Sequence, residues 1–375
     1  MALFGSKDDA TKFRYAVVGL GWIAQEAILP SFKDMHHSTL AALVTGDPEK
    51  ARDLSEKYHV SQIVDYEGYD ALLRSGDIDV VYIALPNNMH KDFTVRAARA
   101  GIHVLCEKPM ADTVAECEEM IDACARNSVK LMIAYRLHFE PANLNAIERV
   151  QSSELGEPRI FNSVFSQQTP AGNPRLQREM GGGPLMDLGI YQINAARYLF
   201  REEPSQVTAA GANNGDPRFE EVHEMVSGIL RFPRDRLASF TCSFGAAPTD
   251  SYRVIGTDGE LQLKPSFEYG EKPKMTLTVD GKEQEITFHT TDQFGGEIEY
   301  FSRCILEDKE PEPSGYEGLA DIRIIQALLE SMRAGQPVNL APYTRDLRPG
   351  ETQKVEKAPV KYEKKLVHAQ AASAH

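Results

Sequence analysis

Between an apolar run and a helical stretch near the start of the chain stands Gly19-Leu20-Gly21-Trp22-Ile23-Ala24, a G-x-G-x-x-A pattern. The run before it, Tyr15-Ala16-Val17-Val18, reads as a buried parallel strand, because consecutive apolar residues leave no face for water. Gly19 suits the tight turn leaving such a strand. Gly21 lets the backbone come up against a pyrophosphate, and the small Ala24 lets the next helix lie close to the strand. That helix, read from about Ile23 to Lys33, turns its N-terminal amides toward the anion. Strand, glycine turn and helix in this order predict a dinucleotide-binding unit, with Gly19, Gly21, Trp22 and Ile23 at the cofactor.

The chain of 375 residues exceeds what one core usually supports, so two domains are expected. Thr39–Val44, Val80–Ala84, His103–Cys106 and Leu131–Ala134 read as further buried strands. They alternate with helices beginning at Pro48, over His90–Ala100 and over Thr113–Arg126. This rhythm predicts an α/β protein whose N-terminal part, residues 1–136, is a Rossmann domain with a doubly wound parallel sheet. From about Pro158 the grammar changes. Phe161–Phe165, Val207–Ala210, Met225–Phe232, Ala238–Phe244, Tyr252–Leu263 and Met275–Phe288 read as closely spaced strands separated by Gly, Asp and Pro turns. With helices over Pro184–Leu199 and Gly318–Ala334, they predict a C-terminal α+β domain, residues 137–344, on a large open, mostly antiparallel sheet. Residues 345–375 read as an extended or disordered tail.

A formal net charge of −14 argues against nucleic acid, since binding a phosphate backbone needs a basic patch to release counterions. No stretch reaches the ~18 uninterrupted apolar residues of a membrane span. The lead from Met1 to Lys12 is polar and lacks the apolar centre of a signal peptide, so a cytoplasmic location is expected. The five cysteines show no C-x-x-C spacing, and neither a disulfide framework nor a metal site is read from them.

A fingerprint that selects NAD places an acidic side chain at the end of the second strand. Here that strand runs into Thr45-Gly46, with Lys50 one turn into the next helix. A hydroxyl, a glycine turn and a lysine suit a 2′-phosphate, so NADP is the predicted cofactor. One residue of slippage would put the Asp47 carboxylate near the ribose; Asp47 is read instead as the N-cap of the helix whose first turn holds Pro48. The next strand ends carry Leu85-Pro86-Asn87-Asn88-Met89-His90 and Cys106-Glu107-Lys108-Pro109. Carboxyl ends of strands form the ligand crevice of an open α/β sheet. Leu85, Pro86, Asn87, His90, Glu107 and Lys108 are therefore assigned to the cofactor, with Lys108 pointing into the cleft. Further on, Gly181-Gly182-Gly183 precedes a helix on which Asp187 and Tyr191 fall four apart, on one face. A tyrosine, with a free pKa of about 10, becomes a usable base when an ammonium such as Lys108 favours its phenolate. Asp187 is placed to bind a substrate hydroxyl or to orient the lysine.

These stretches resemble the Gfo/Idh/MocA oxidoreductases, and among them the bacterial glucose–fructose oxidoreductases and NADP-dependent aldose dehydrogenases. The carrying motifs are VVGLGWIA with ILPSF, ALVTGDPEKA, YIALPNNMH, HVLCEKPMA, LMIAYRLHFEP and GGGPLMDLGIYQINAARYLF. The likeness spans roughly Phe13 to Leu340. It implies Lys108 and Tyr191 as the catalytic pair with Asp187 assisting, Thr45 and Lys50 on the 2′-phosphate, and Tyr66 near the adenine. It also implies Arg136 and Arg175 near the nicotinamide or the sugar. Two features depart from the glucose–fructose branch. The lead before Phe13 is short where that branch has an export signal and a long arm, and Pro174 stands where it has tryptophan.

The implied reaction is hydride transfer between the anomeric carbon of an aldose and NADP, with a lactone as product. Coupling to reduction of a ketose, on NADP held tightly through both halves, is one form of it. A reductase of anhydro- or keto-sugars and a non-catalytic NADP-binding regulator are the alternatives. The partners expected are a small sugar and further copies of the chain, as a homodimer or homotetramer joined through the open sheet.

Overall fold

The computed structural model describes residues 12–373. Six parallel strands form the first sheet: β1 (Phe13–Val18), β2 (Ser38–Val44), β3 (Gln62–Val64), β4 (Val80–Ile83), β5 (His103–Glu107) and β6 (Leu131–Ala134), in the order β3-β2-β1-β4-β5-β6. Alternation along β1 explains why the run is apolar throughout. Ala16 and Val18 enter one core with Phe93, Ala97, Cys117 and Met120 of the helices His90–Arg99 and Val114–Arg126. Tyr15 and Val17 enter the opposite core with Ala24, Ala27, Phe294, Ile298 and Phe301. Each such large side chain removed from water contributes about 1.5–3 kcal/mol. The second core holds a surprise, because Phe294, Ile298 and Phe301 belong to Gln293–Leu306, a helix that returns from after the second sheet. Tyr15 Oη meets Ser302 Oγ at 2.8 Å and fixes that return.

The second sheet has nine strands: β7 (Pro158–Ser166), β8 (Gln206–Ala212), β9 (Met225–Phe232), β10 (Arg236–Ser243), β11 (Thr249–Gly256), β12 (Gly259–Lys264), β13 (Lys274–Val279), β14 (Lys282–Thr287) and β15 (Val338–Asn339). Their order is β14-β13-β12-β11-β7-β10-β9-β8-β15, parallel between β7 and β10 and antiparallel elsewhere. Two stretches read as single strands are hairpins. Tyr252–Leu263 divides at Thr257-Asp258, and Met275–Phe288 at Asp280-Gly281, where both turn residues have positive φ, 51° and 71°. Asp-Gly in that conformation is the hairpin turn that matches strand twist. One face of this sheet packs on the helices Ile190–Phe200 and Gly315–Ala334. On the other, Ile160, Val164, Ile229 and Leu237 are 40%, 42%, 50% and 47% exposed.

The helices Tyr69–Arg74, Pro141–Gln151 and Gln293–Leu306, and strand β3, were not among the elements read from sequence. After Arg345 the chain runs extended, with one short turn over Glu351–Gln353. Arg345 and Arg348 tie its start to the body through Glu317 (3.0 Å) and Glu203 (2.7 Å). The cysteines are buried and unpaired. Among the described residues no helix is long and apolar enough to cross a membrane.

Candidate active site

The carboxyl ends of β1, β4, β5 and β6 open into a cavity of about 450 Å³ whose far wall belongs to the second sheet and the helix Ile190–Phe200. Gly19 turns the chain at φ +90°, and a Cβ there would stand 2.6 Å from the Ala84 carbonyl oxygen. A side chain at Gly21 would meet nothing within 4 Å, so the backbone is bare to the cavity at that point. Trp22 and Ile23 follow on the same wall. Trp22 Nε1 itself is buried and has no hydrogen-bond partner.

Leu85, Pro86 and Asn87 line the next side, and Asn87 Nδ2 donates to the Gly181 carbonyl at 2.8 Å. Gly181 is required there: φ is +73°, and a Cβ would lie 2.7 Å from that of Asn87. His90, assigned to the cofactor from sequence, is instead inside the protein. Its Nδ1 and Nε2 lie 2.9 and 2.8 Å from the carbonyl oxygens of Pro109 and Leu85, so it holds the two strand-end loops together.

At the end of β2, Thr45 Oγ1 accepts from the Asp47 amide at 3.2 Å, and a Cβ on Gly46 would stand 3.3 Å from the Tyr66 ring. Asp47 Oδ1 accepts from the amides of Glu49 (2.9 Å) and Lys50 (3.1 Å), the capping role read for it. Its carboxylate is thus engaged with protein, while Lys50 is on the cavity wall.

The charged centre spans both halves of the crevice. The turn Leu185–Gly189 is widened to π geometry before the α-helix Ile190–Phe200, which sets Asp187 and Tyr191 on one side. Lys108 Nζ donates to the Asp187 carbonyl and to its Oδ1, both at 3.0 Å. Arg175 Nε donates to Asp187 Oδ2 at 2.7 Å, and its guanidinium lies 5.4 Å from the centre of the Trp22 ring. Burial opposes charge on Asp187, but Arg175 and Lys108 outweigh it and hold the carboxyl well below the usual carboxylate range. Burial likewise opposes charge on Lys108, and Asp187 with Tyr191 and Glu107 raises it nonetheless. The ammonium does not bond the phenol oxygen. It stands over the Tyr191 ring, 4.6 Å from the centroid. The donor to Tyr191 Oη is Arg136 Nη2, at 3.3 Å, and Arg136 is fixed in turn by Gln293 Oε1 and the Phe267 carbonyl.

Sequence reasoning missed two carboxyl groups here, those of Glu268 and Glu297. Glu268 lines the cavity, and burial, with help from Asp250, pushes its carboxyl up to about 7. Behind Lys108, Tyr82 Oη lies 3.0 Å from Glu107 Oε1 and 2.5 Å from Glu297 Oε1. Burial raises both of those carboxyls. Glu107 was assigned to the crevice, but Glu297 and Glu268 sit in a helix and a loop with no motif to mark them.

A phenol with one cation over its ring and another at its oxygen, beside a charged carboxylate, is equipped to exchange a proton with a hydroxyl and to steady oxygen charge. Residues 13–135 match the Gfo/Idh/MocA oxidoreductase family, NAD-binding Rossmann fold, and residues 144–262 match the Gfo/Idh/MocA C-terminal domain. The chain belongs to the Gfo/Idh/MocA oxidoreductases. It is 32% identical to D-xylose 1-dehydrogenase (NADP(+)) of Haloarcula marismortui over 334 residues, covering 87% of this chain and 93% of the relative. To D-xylose 1-dehydrogenase (NADP(+)) 2 of Haloferax volcanii it is 33% identical over 330 residues, 87% and 99% of the two chains. The crystal structure of aldose-aldose oxidoreductase from Caulobacter crescentus complexed with glycerol superposes with a TM-score of 0.83 at 40% identity, over 88% of this chain and all (100%) of that one.

Proposed function

We propose that this chain is an NADP-dependent sugar oxidoreductase that moves a hydride between the anomeric carbon of an aldose and nicotinamide, giving a lactone. The observation that carries the reading is Tyr191 set between Lys108 over its ring and Arg136 at its hydroxyl. Relatives named as NADP-dependent xylose dehydrogenases and as an aldose-aldose oxidoreductase support an aldose as substrate and NADP as cofactor. The residues fit that cofactor. Gly21 bares backbone to the cavity, and Lys50 puts a cation on its wall beyond the end of β2, where Gly46 meets Tyr66.

When bound, NADP supplies the hydride acceptor. Tyr191 Oη takes the proton of the anomeric hydroxyl as that carbon gives up its hydride. Lys108 and Arg136 place positive charge beside the oxygens where negative charge gathers. Asp187, held ionised between Arg175 and Lys108, accepts a hydrogen bond from a neighbouring sugar hydroxyl. In the opposite direction Tyr191 returns the proton to a sugar carbonyl oxygen, so reduction of a second sugar lies within reach of the same groups. The exposed face carrying Ile160, Val164, Ile229 and Leu237 supports pairing of sheets between copies, as a homodimer or homotetramer.

The test is turnover of an aldose panel with NADP and with NAD, followed by reduced-nicotinamide absorbance and lactone detection. Tyr191→Phe is expected to lose roughly 10²–10⁴-fold in kcat, the worth of a positioned acid–base group, while calorimetry still shows NADP binding. Turnover retained by that variant would remove Tyr191 from the reaction.

A further inference from the structure

The tail does more than wrap. Past Tyr362, whose ring meets that of Tyr269 at 5.0 Å, the Glu363 amide donates to the Glu26 carbonyl at 3.0 Å. Val367 is then clasped on both sides by one side chain: its amide donates to Gln25 Oε1 and its carbonyl accepts from Gln25 Nε2, each at 2.8 Å. His368 lies between two carboxylates, with Nδ1 2.8 Å from Asp47 Oδ2 and Nε2 3.2 Å from Glu49 Oε2. Beyond it the chain crosses to the other half of the molecule. There Asn173 Nδ2 donates to the Ala371 carbonyl at 3.1 Å and Gln167 Nε2 to that of Ala372 at 3.3 Å.

Gln25, Asn173 and Gln167 are 1%, 1% and 6% exposed, so buried amides from both halves are committed to the main chain of this one segment. Between the anchors, His368, Ala369, Gln370 and Ala372 line the same cavity as Lys50 and Arg175. Every other wall is a strand end, a helix start or a loop that belongs to the packed body. Ala369 and Ala372 put small side chains on this wall, which lets a ligand lie close to it.

We infer that residues 367–372 are part of the dinucleotide site, forming its outer wall and holding the phosphorylated dinucleotide in place between turnovers. The inference rests on the NADP reading above. It adds that the cofactor leaves only after the strip releases Gln25 on one side or Asn173 and Gln167 on the other.

The experiment compares the full chain with one ending at Lys365, both loaded with NADPH, whose bound fluorescence is chased by excess NADP. The shortened chain is expected to release NADPH at least tenfold faster and to lose NADP on gel filtration where the full chain keeps it. Asn173→Ala in the full-length chain, checked for fold by circular dichroism, is expected to speed release in the same direction. Equal release rates in all three proteins overturn the inference. Tighter binding by the shortened chain also overturns it, since the strip would then occupy the cleft instead of covering it. A full chain that carries no bound nucleotide and takes up no NADP by calorimetry defeats the cofactor reading itself, and this inference with it.

Discussion

Arg136 donates to the Tyr191 hydroxyl, whereas Lys108 stands over the ring of the same tyrosine and spends its hydrogen bonds on Asp187. The two cations therefore divide the work that sequence reasoning gave to Lys108 alone. Arg136→Met keeps much of the bulk and removes the charge at the oxygen. Its kcat for aldose oxidation is expected to fall about 10²–10³-fold, the worth of one preorganised donor to developing charge. Lys108→Met should also release Asp187 to Arg175 alone and so raise KM as well as lower kcat. Steady-state kinetics on both variants separate the roles, and an Arg136→Met enzyme with unchanged kcat would show that the bond does not matter to catalysis.

Much of the fold and part of the site are legible in the amino-acid sequence, for physical reasons that differ by region. The central residues of β1, β4, β5 and β6 and the end of β2 are buried on both faces and so appear as apolar runs. The helix Gln293–Leu306 hid because Gly295 and Gly296 weaken its propensity and because it buries Glu297 and Glu299, at 0% and 7% exposed, where a polar face was expected. In the site, Lys108 and Tyr191 stand out by motif. The bond from Arg136 to Tyr191 joins residues 55 apart in sequence, and a pairing across two halves leaves no local pattern. His90 misleads for the opposite reason: it follows a strand end that lines the crevice, yet its ring turns inward to two carbonyls. Nothing in the small and polar residues 368–372 marks them as a cavity wall.

Cofactor choice offers a direct check. Lys50 is on the cavity wall next to the end of β2, and Asp47, the acid nearest that end, is engaged by helix amides and His368. Lys50→Ala is expected to weaken NADP by about 10–100-fold, since hydrogen bonds to charged groups contribute about 1.5–3 kcal/mol. Binding of NAD should change little. Calorimetry with both dinucleotides decides it, and an equal loss for the two would remove Lys50 from the 2′-phosphate.

The outer face of the second sheet makes a separate claim. Leu237 pairs with Ile160 across β10 and β7, and Ile229 on β9 stands opposite Ser239, two residues along the same face, so the apolar side chains share that face. Leu237→Asp places a charge in the middle of any sheet-to-sheet contact, where desolvation without a partner is costly. Light scattering after gel filtration is expected to show a drop in mass to the single chain. A wild-type protein that already runs as a single chain would end the proposal that this face is covered.

Glu268 connects the site to pH. Burial and Asp250 push its carboxyl up to about 7, against an ordinary value near 4.5. Between those values the folded protein holds a proton that the unfolded chain has released, so stability falls as pH rises through that window and is level above it. Glu268→Gln keeps the shape and removes the titration. The melting temperature of the wild type should therefore drop by roughly 2–4 °C more than that of the variant between pH 5 and pH 8. The same carboxyl lines the cavity beside Arg136 and Tyr191, so the variant should also lose a step near pH 7 from the dependence of kcat/KM on pH. Parallel melting curves and superimposable rate profiles for the two proteins would mean that Glu268 is ionised throughout and that Arg136 outweighs its burial.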